Sequence, residues 1–404
     1  MTAFSGTADT SPIDHGDPLA RLDFSSLISG AAKLRPDRIA FHDNNDVSKS
    51  LTFAMLERRV AAMASAWRDL GLMPGERILI AATATPACIV AITGALRAGL
   101  DVAVAAPYLP AEELAEFATD TGAVALAAEP ACGDLDLASE LLRTAARAER
   151  VRVVAALGNT KVDGAVPLDP LRAEGKAQEE AANGSHSLHA RIITRDITAS
   201  CVFHRQRTIV AAALDFVTRA QIGTHIPLLS TILPASFAGL AMGPAASLIA
   251  GAPLILHGPF DSKALIAIIE AMHPVHLIAP AMLSEDFAAA GLIDPHYLAS
   301  MVFLSRFKQM PADMPAEPPG GMVETTIPVI DLYAIGEIAA IAEPRLPGGA
   351  RIAPLTAQHV LNLDGRDVVA ARRKLHYLAA NGRLDSVVAI EGAAISQGNE
   401  GDYE

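Results

Sequence analysis

Aromatic residues make up only 4% of this chain of 404 residues, and a single tryptophan is present. Surfaces that stack unpaired bases are built from aromatic rings, so this scarcity disfavours one here. Positive charge is also short: 32 lysines and arginines face 45 aspartates and glutamates, for a formal net charge of −13. Nucleic-acid affinity rests on cations that neutralise phosphates, and no nucleic-acid partner is expected. The three cysteines, Cys88, Cys132 and Cys201, lie far apart and show no CxxC spacing. Neither a disulfide framework nor a structural zinc site fits that pattern, and a reducing, cytoplasmic setting is expected. Met1 to Asp23 lacks the basic-then-apolar order of a secretory signal. The glycine-rich Walker and GxGxxG patterns and the G-x-S-x-G elbow are missing as well.

What the chain does contain is aliphatic. Hydrophobic residues make up 51% of it, mostly Ala, Leu, Ile and Val, which suits helices packed on buried strands. Its length exceeds the roughly 250–300 residues at which one core stops growing, so at least two packed units are expected. Two uncharged windows, 78–96 and 220–260, stand against the about 20 residues needed to cross a bilayer. Pro86 and three threonines interrupt the first, and Pro227, Pro234, Pro244 and Pro253 the second. Each reads as strand, turn, buried helix and strand, and no transmembrane span is expected.

The order of elements is regular. Apolar spacing predicts a helix over 52–70, stopped at Gly71, then a strand at 77–82, a helix at 86–98 and a strand at 101–105. Helices at 111–121 and 137–148 and strands at 123–127 and 150–157 extend the alternation, and a polar stretch at 167–189 reads as a linker. The second half gives helices at 208–220, 236–249 and 262–272, with strands at 253–257 and 275–279. This pattern predicts an α/β fold with mostly parallel sheets covered on both faces. The expected units are 1–190, 191–345 and a small β-rich segment at 346–404.

Several fragments carry a resemblance when taken in order. They are Leu51-Thr52-Phe53, Leu70-Gly71-Leu72, Pro74-Gly75-Glu76-Arg77, Gly94 to Gly99 with Pro107, and Leu109 to Leu114. In the second half come Leu233-Pro234 to Gly239-Leu240, Leu248 to Ala252, Phe260-Asp261 and Val275-His276-Leu277. The chain thereby resembles the adenylate-forming superfamily, which includes the AMP-forming acyl-CoA synthetases. That resemblance implies two stacked, mostly parallel-sheet subdomains and activation of a carboxylate by ATP and Mg²⁺. It also implies a mobile C-terminal lid with a catalytic lysine. Gly382 to Ser386 and Ile390-Glu391-Gly392 resemble the hinge leading to that lid, while the lid domain itself is expected to be absent before Glu404.

The nucleotide motifs of this resemblance are altered. A phosphate loop rich in glycine and lysine is implied near 194–204, yet Thr194 to His204 contains neither residue. One reading is a rebuilt phosphate site using the hydroxyls of Thr194, Thr198 and Ser200, with Arg205 or Arg207 for the lysine. The other is a strand and turn that connects subdomains. Ser305-Arg306-Phe307-Lys308 stands where a Gly-Gly-Ala loop against adenine is implied, and Gly320-Gly321 reads as a turn. Tyr333-Ala334-Ile335-Gly336-Glu337 resembles Tyr-Gly-x-Thr-Glu, which implies Tyr333 at the nucleotide and Glu337 at the metal, with Gly336 in place of threonine. Its alternative is a strand-end aromatic and a surface charge. Asp367 is a candidate ribose ligand without the preceding Thr-Gly. The nucleotide set, if retained, is thus Thr194, Thr198, Tyr333, Glu337 and Asp367. Phe237 reads as a wall of an acyl pocket or as a core aromatic. His273 and His276, separated by Pro274, and the histidines of 185–189 read as packing or solvent contacts rather than metal ligands.

These alterations together imply an acyl-CoA synthetase-like protein without normal ATP-dependent adenylation, acting as an acyl-binding, regulatory or complex-forming pseudoenzyme. A carboxylic acid or acyl ligand, and a protein partner or second copy, are its expected partners. The alternative is a divergent acyl-activating ligase, for which alone ATP and Mg²⁺ are expected cofactors.

Overall fold

The computed structural model describes residues 22–43, 50–171, 188–196, 198–307 and 325–345, and the backbone of 359–363, 366–371 and 374–375. The chain enters α1 (Phe24–Leu34) through Asp23, whose side chain accepts from the Ser26 N–H. β1 (Ile39–His42) and β2 (Leu51–Thr52) follow, and Thr52 caps α2 (Phe53–Asp69) by accepting from the Met55 N–H. Next come β3 (Arg77–Ala81), α3 (Pro86–Arg97), β4 (Asp101–Ala105), α4 (Ala111–Thr121) and β5 (Ala125–Ala128). The short pair β6 (Ala131–Cys132) and β7 (Leu135–Asp136) leads to α5 (Leu137–Arg147), β8 (Val153–Leu157) and β9 (Val166–Leu168). β10 (Arg191–Arg195), β11 (Cys201–Arg205), α6 (Gln206–Arg219) and β12 (Leu228–Ser230) open the second half.

A helical run then comprises α7 (Phe237–Leu240), a π turn (Ala241–Ala245) and α8 (Ala246–Ala250). Sequence spacing predicts one helix here; Pro244, which has no N–H to give, sits inside the widened turn. β13 (Leu254–Leu256), α9 (Ser262–Met272), β14 (Val275–Pro280), α10 (Ser284–Ala289), β15 (Leu298–Phe307), β16 (Val329–Ile335) and β17 (Ala339–Pro344) follow. β18 (His359–Leu363), β19 (Arg366–Ala371) and β20 (Lys374–Leu375) form a separate small sheet.

Two large sheets organise the molecule. One has seven strands in the order β11-β10-β4-β3-β5-β8-β9, the other eight in the order β17-β16-β15-β14-β12-β13-β1-β2. Pairing is parallel throughout except at β10–β11, β16–β17 and β1–β2. The expected α/β class with two mostly parallel sheets is therefore present. Strand membership crosses position 190 in both directions: β10 and β11 complete the first sheet, whereas β1 and β2 extend the second.

Burial explains why the strands are apolar on both sides. One core cluster joins the sheets, taking Ile78, Val102 and Ile192 from the first and Leu228, Leu254, Val302 and Ile330 from the second. Separate clusters cover the outer faces. The window 220–260 resolves into β12, the helical run and β13, and among the described residues no helix is long and apolar enough to cross a membrane. Helices α2 and α3 approach closely at Gly94, where an added Cβ would stand 2.7 Å from the Met63 Cβ. Trp67 crosses the same contact and donates its indole N–H to the Ala91 carbonyl at 3.2 Å.

Candidate functional site

The stretch 194–204 is an antiparallel hairpin. Its register sets Thr194 opposite Val202 and Ile192 opposite His204, so these four side chains share one face. That face carries Ile192 into the core between the sheets, while Ile193, Cys201 and Phe203 turn to the outer cluster. On the inner face the Thr194 Oγ1 and His204 Nε2 stand 2.9 Å apart, both buried. Burial alone pushes the His204 imidazole down to about 3, so the ring is neutral.

The turn between the strands binds itself. One oxygen of Asp196 accepts from the Thr198 N–H at 2.8 Å, the Thr198 hydroxyl at 2.7 Å and the Ser200 N–H at 2.9 Å. Ala199 takes φ 64 to close it. A cradle for phosphate offers just such N–H and hydroxyl donors to an anion; here a carboxylate of the chain already holds them. Arg195 also points elsewhere. It donates to the Glu113 carbonyl at 3.1 Å, faces Glu116 and Asp120 at 3.5 Å, and lies over Phe117, all on α4. Arg205 takes the N-cap position of α6.

Opposite the hairpin lies the β16–β17 turn. Tyr333 is buried in β16, paired with Ser305 and Ile341, its ring centre 6.0 Å from that of Phe307. Gly336 has φ +52 and donates its N–H to the Phe307 carbonyl at 2.7 Å. A threonine at that φ would be strained, so the glycine meets a backbone demand as well as removing a hydroxyl. Glu337 is only 7% exposed, which corrects its reading as a surface charge. It accepts from the Phe237 N–H at 2.6 Å, faces the Arg306 Nη1 at 3.6 Å, and has the Thr194 hydroxyl nearby. Burial pushes its carboxyl up, opposed by the pull of the Phe237 amide and the Arg306 charge.

Phe237 closes the circuit. Its ring lies 5.1 Å from the His204 ring, tilted by 44°. Contacts therefore run from Thr194 to His204, to Phe237, to Glu337 and back to Thr194. The Thr194 hydroxyl and the His204 Nε2 share one hydrogen bond, whose donor is set by the tautomer of the ring. At the rim Arg306 donates to the Ser236 hydroxyl at 2.9 Å, and Ser236 accepts from the Gly239 N–H at 3.1 Å.

Of the expected residues, Thr194, Phe237 and Glu337 meet in this cluster. Thr198 stands apart on the self-bound turn, and Tyr333 lies along the strand that delivers Glu337. The backbone of Asp367 pairs with Asn362 in β19, but its side chain lies outside the described residues. His204, Ser236 and Arg306 were missed as site residues. Parity across a short turn was the available signal for His204, and a cation within the last residues of an apolar strand the signal for Arg306. His273 meets His296 at 4.4 Å between ring centres, whereas His276 bonds to the Ser300 hydroxyl at 2.7 Å, so the two do not form a metal pair. Among the described residues no group of three or more His, Cys, Asp or Glu is placed to hold a metal. A surface hollow of about 410 Å³ on α4, edged by Glu112, Glu116, Asp120 and Arg147, contains none of the cluster.

A nucleotide with Mg²⁺ does not fit these groups as they stand. The carboxylate that would face the metal is held by an amide and a guanidinium, and the turn's donors are held by Asp196.

Comparison with known proteins gives a consistent answer. The family model described as AMP-binding enzyme matches residues 28–354. Salicyl-AMP ligase / salicyl-S-ArCP synthetase of Mycobacterium tuberculosis is 34% identical over 103 residues, 25% of this chain and 18% of that protein. The benzoate CoA ligase of Burkholderia xenovorans LB400 superposes with a TM-score of 0.67 at 19% identity, over 90% of this chain and 74% of the other. MbtA of Mycobacterium smegmatis gives 0.63 at 20% identity, over 88% and 68%.

Proposed function

Because the chain belongs to the AMP-binding enzyme family, we propose that it is a ligase-like member that does not by itself adenylate a carboxylate with ATP. It acts instead as an acyl-binding, regulatory or complex-forming protein. One observation carries this reading: Thr194 and His204 hold each other in the buried cluster, while Glu337 is taken by the Phe237 amide, with Arg306 at the rim. Groups engaged in this way do not present the preorganised charge that phosphoryl chemistry demands. Isothermal titration with ATP and Mg²⁺ tests the proposal. No micromolar binding is expected, and micromolar binding would overturn it.

A second reading, a divergent acyl-activating ligase, draws support from the salicyl-AMP ligase that shares 34% identity over 103 residues. Carboxylate-dependent exchange of pyrophosphate into ATP discriminates between the two. The acids to test first are aryl carboxylates such as salicylate and benzoate, following the names of the similar ligases. Exchange above background with any of them establishes the second reading.

A further inference from the structure

Away from the buried cluster, two histidines of the second sheet meet at the surface. His273 is the C-cap of α9, two residues before β14, and His296 stands two residues before β15. β14 and β15 are parallel neighbours that start at the pair Val275–Leu298, so the two histidines arrive side by side at the amino ends of these strands. Backbone bonds hold them there. The Val275 N–H donates to the Tyr297 carbonyl at 3.0 Å, the His296 N–H to the Asp294 Oδ1 at 2.7 Å, and the Leu298 N–H to the Asp294 carbonyl at 2.9 Å. Both histidines are exposed. Among the described residues neither imidazole has a hydrogen-bond or ion-pair partner. Their ring contacts are with each other, 4.4 Å between centres at 43°, and with Tyr297, at 6.1 Å from His273 and 4.8 Å from His296.

We propose that His273 and His296 form a two-histidine site for a transition-metal dication of the Ni²⁺ or Cu²⁺ type, with water completing its shell. Imidazole is the commonest side-chain metal ligand and suits these ions. Distance decides between geometries. A metal–nitrogen bond of about 2.0–2.1 Å sets the ion roughly 3.2 Å from a ring centre. Two rings on one ion then stand roughly 4.5 Å apart at right angles and roughly 5.2 Å apart at the tetrahedral angle. The observed 4.4 Å is the right-angle value, which octahedral and tetragonal ions use and tetrahedral zinc does not. A tilt of 43° is neither the parallel nor the edge-on arrangement that ring attraction alone favours. Mg²⁺, a hard ion that selects oxygen, is no competitor for such a pair. The site lies at the opposite end of the ten-residue strand β15 from Arg306, and it stands or falls independently of the Glu337 cluster. Chain spacing hid it, since the partner of His273 comes with the next strand and not with His276.

The test titrates Ni²⁺ into the tag-free full chain by isothermal calorimetry, in a weakly coordinating buffer at neutral pH. Wild type, H273Q, H296Q and H273Q/H296Q are compared. Trp67 emission monitors folding, and H273N and H296N serve if a glutamine variant folds poorly. The expected result is one Ni²⁺ per wild-type chain, bound at least about tenfold more tightly than by either single variant. The double variant should be little weaker than the singles, because one imidazole alone does not chelate. An excess of Mg²⁺ should leave the titration unchanged. Ni²⁺ should also raise the melting temperature of wild type and not of the double variant, as a ligand of the folded chain does. The site is overturned if wild type and H273Q/H296Q bind alike, or if only one of the two histidines matters, which marks a lone surface imidazole. Displacement of Ni²⁺ by Mg²⁺ would overturn it equally.

Discussion

Thr194 is the smallest member of the buried ring and joins two of its larger ones. Valine has its shape without its hydroxyl, so T194V leaves the buried His204 ring short of a partner. The expected loss of stability is about 1–3 kcal/mol, measured by urea unfolding. Acid should expose the same region. His204 and His276 are pushed by burial from 6.5 down to about 3 and about 4. The unfolded chain therefore takes up a proton on each below 6.5, while the folded chain does not until about 3 to 4. Stability from this pair is fully present above 6.5 and falls as pH drops through that window, by up to about 1.4 kcal/mol per pH unit for each ring. Glu129 and Glu337, both raised by burial, carry the opposite sign: their contribution is present in acid and lost as pH rises through their raised values. In T194V/H204F the acid slope should shrink by up to one proton; an unchanged slope would clear His204 of any part in it. Sequence made Thr194, Phe237 and Glu337 visible as candidates, but their partners were not legible. Phe237 and Glu337 lie 100 residues apart, and their contact depends on where β12 and β16 fall in one sheet.

Helices show the converse, since most were legible from spacing and stops, although α1 and α10 were not. α2, α3, α4 and α9 fall within a residue or two of their sequence-based bounds because their apolar stripes and capping residues act locally. The π turn inside 237–250 was not legible, although Pro244 was in view. Proline forbids one hydrogen bond without dictating whether the helix kinks, ends or widens. Glycines inside helices make a sharper test of element packing. G94A would drive a Cβ to 2.7 Å from the Met63 Cβ, which is no flexible tip, so α2 and α3 must separate. The expected loss is about 1–3 kcal/mol. Gly30, in α1, has nothing within 4 Å of an added Cβ; G30A should gain about 0.5–1 kcal/mol from helix propensity. Opposite shifts in melting temperature for one chemical change would confirm that interhelix distance, rather than glycine itself, decides.

At the scale of the molecule, the core cluster that joins both sheets predicts a single unfolding event. Trp67 is the one tryptophan and is fully buried in that cluster. Its fluorescence should therefore change at the same urea concentration as far-ultraviolet circular dichroism, which reports every helix and strand. Two separated midpoints would instead show that the sheets unfold independently. Strand membership across position 190 could not be read from chain order, because β1 pairs with the distant β13 and β10 with the distant β4, each bringing its neighbouring strand along.

The contact between Glu337 and the Phe237 amide means that the protein carries a tethered competitor for that amide. An outside carboxylate that needs that amide binds only the fraction of molecules in which the competitor has let go. Every 1.4 kcal/mol favouring the closed form weakens its apparent affinity about tenfold, whatever the quality of its fit. Weak binding to the native chain and poor complementarity are therefore different findings. Ranking the same acids on E337Q would separate them.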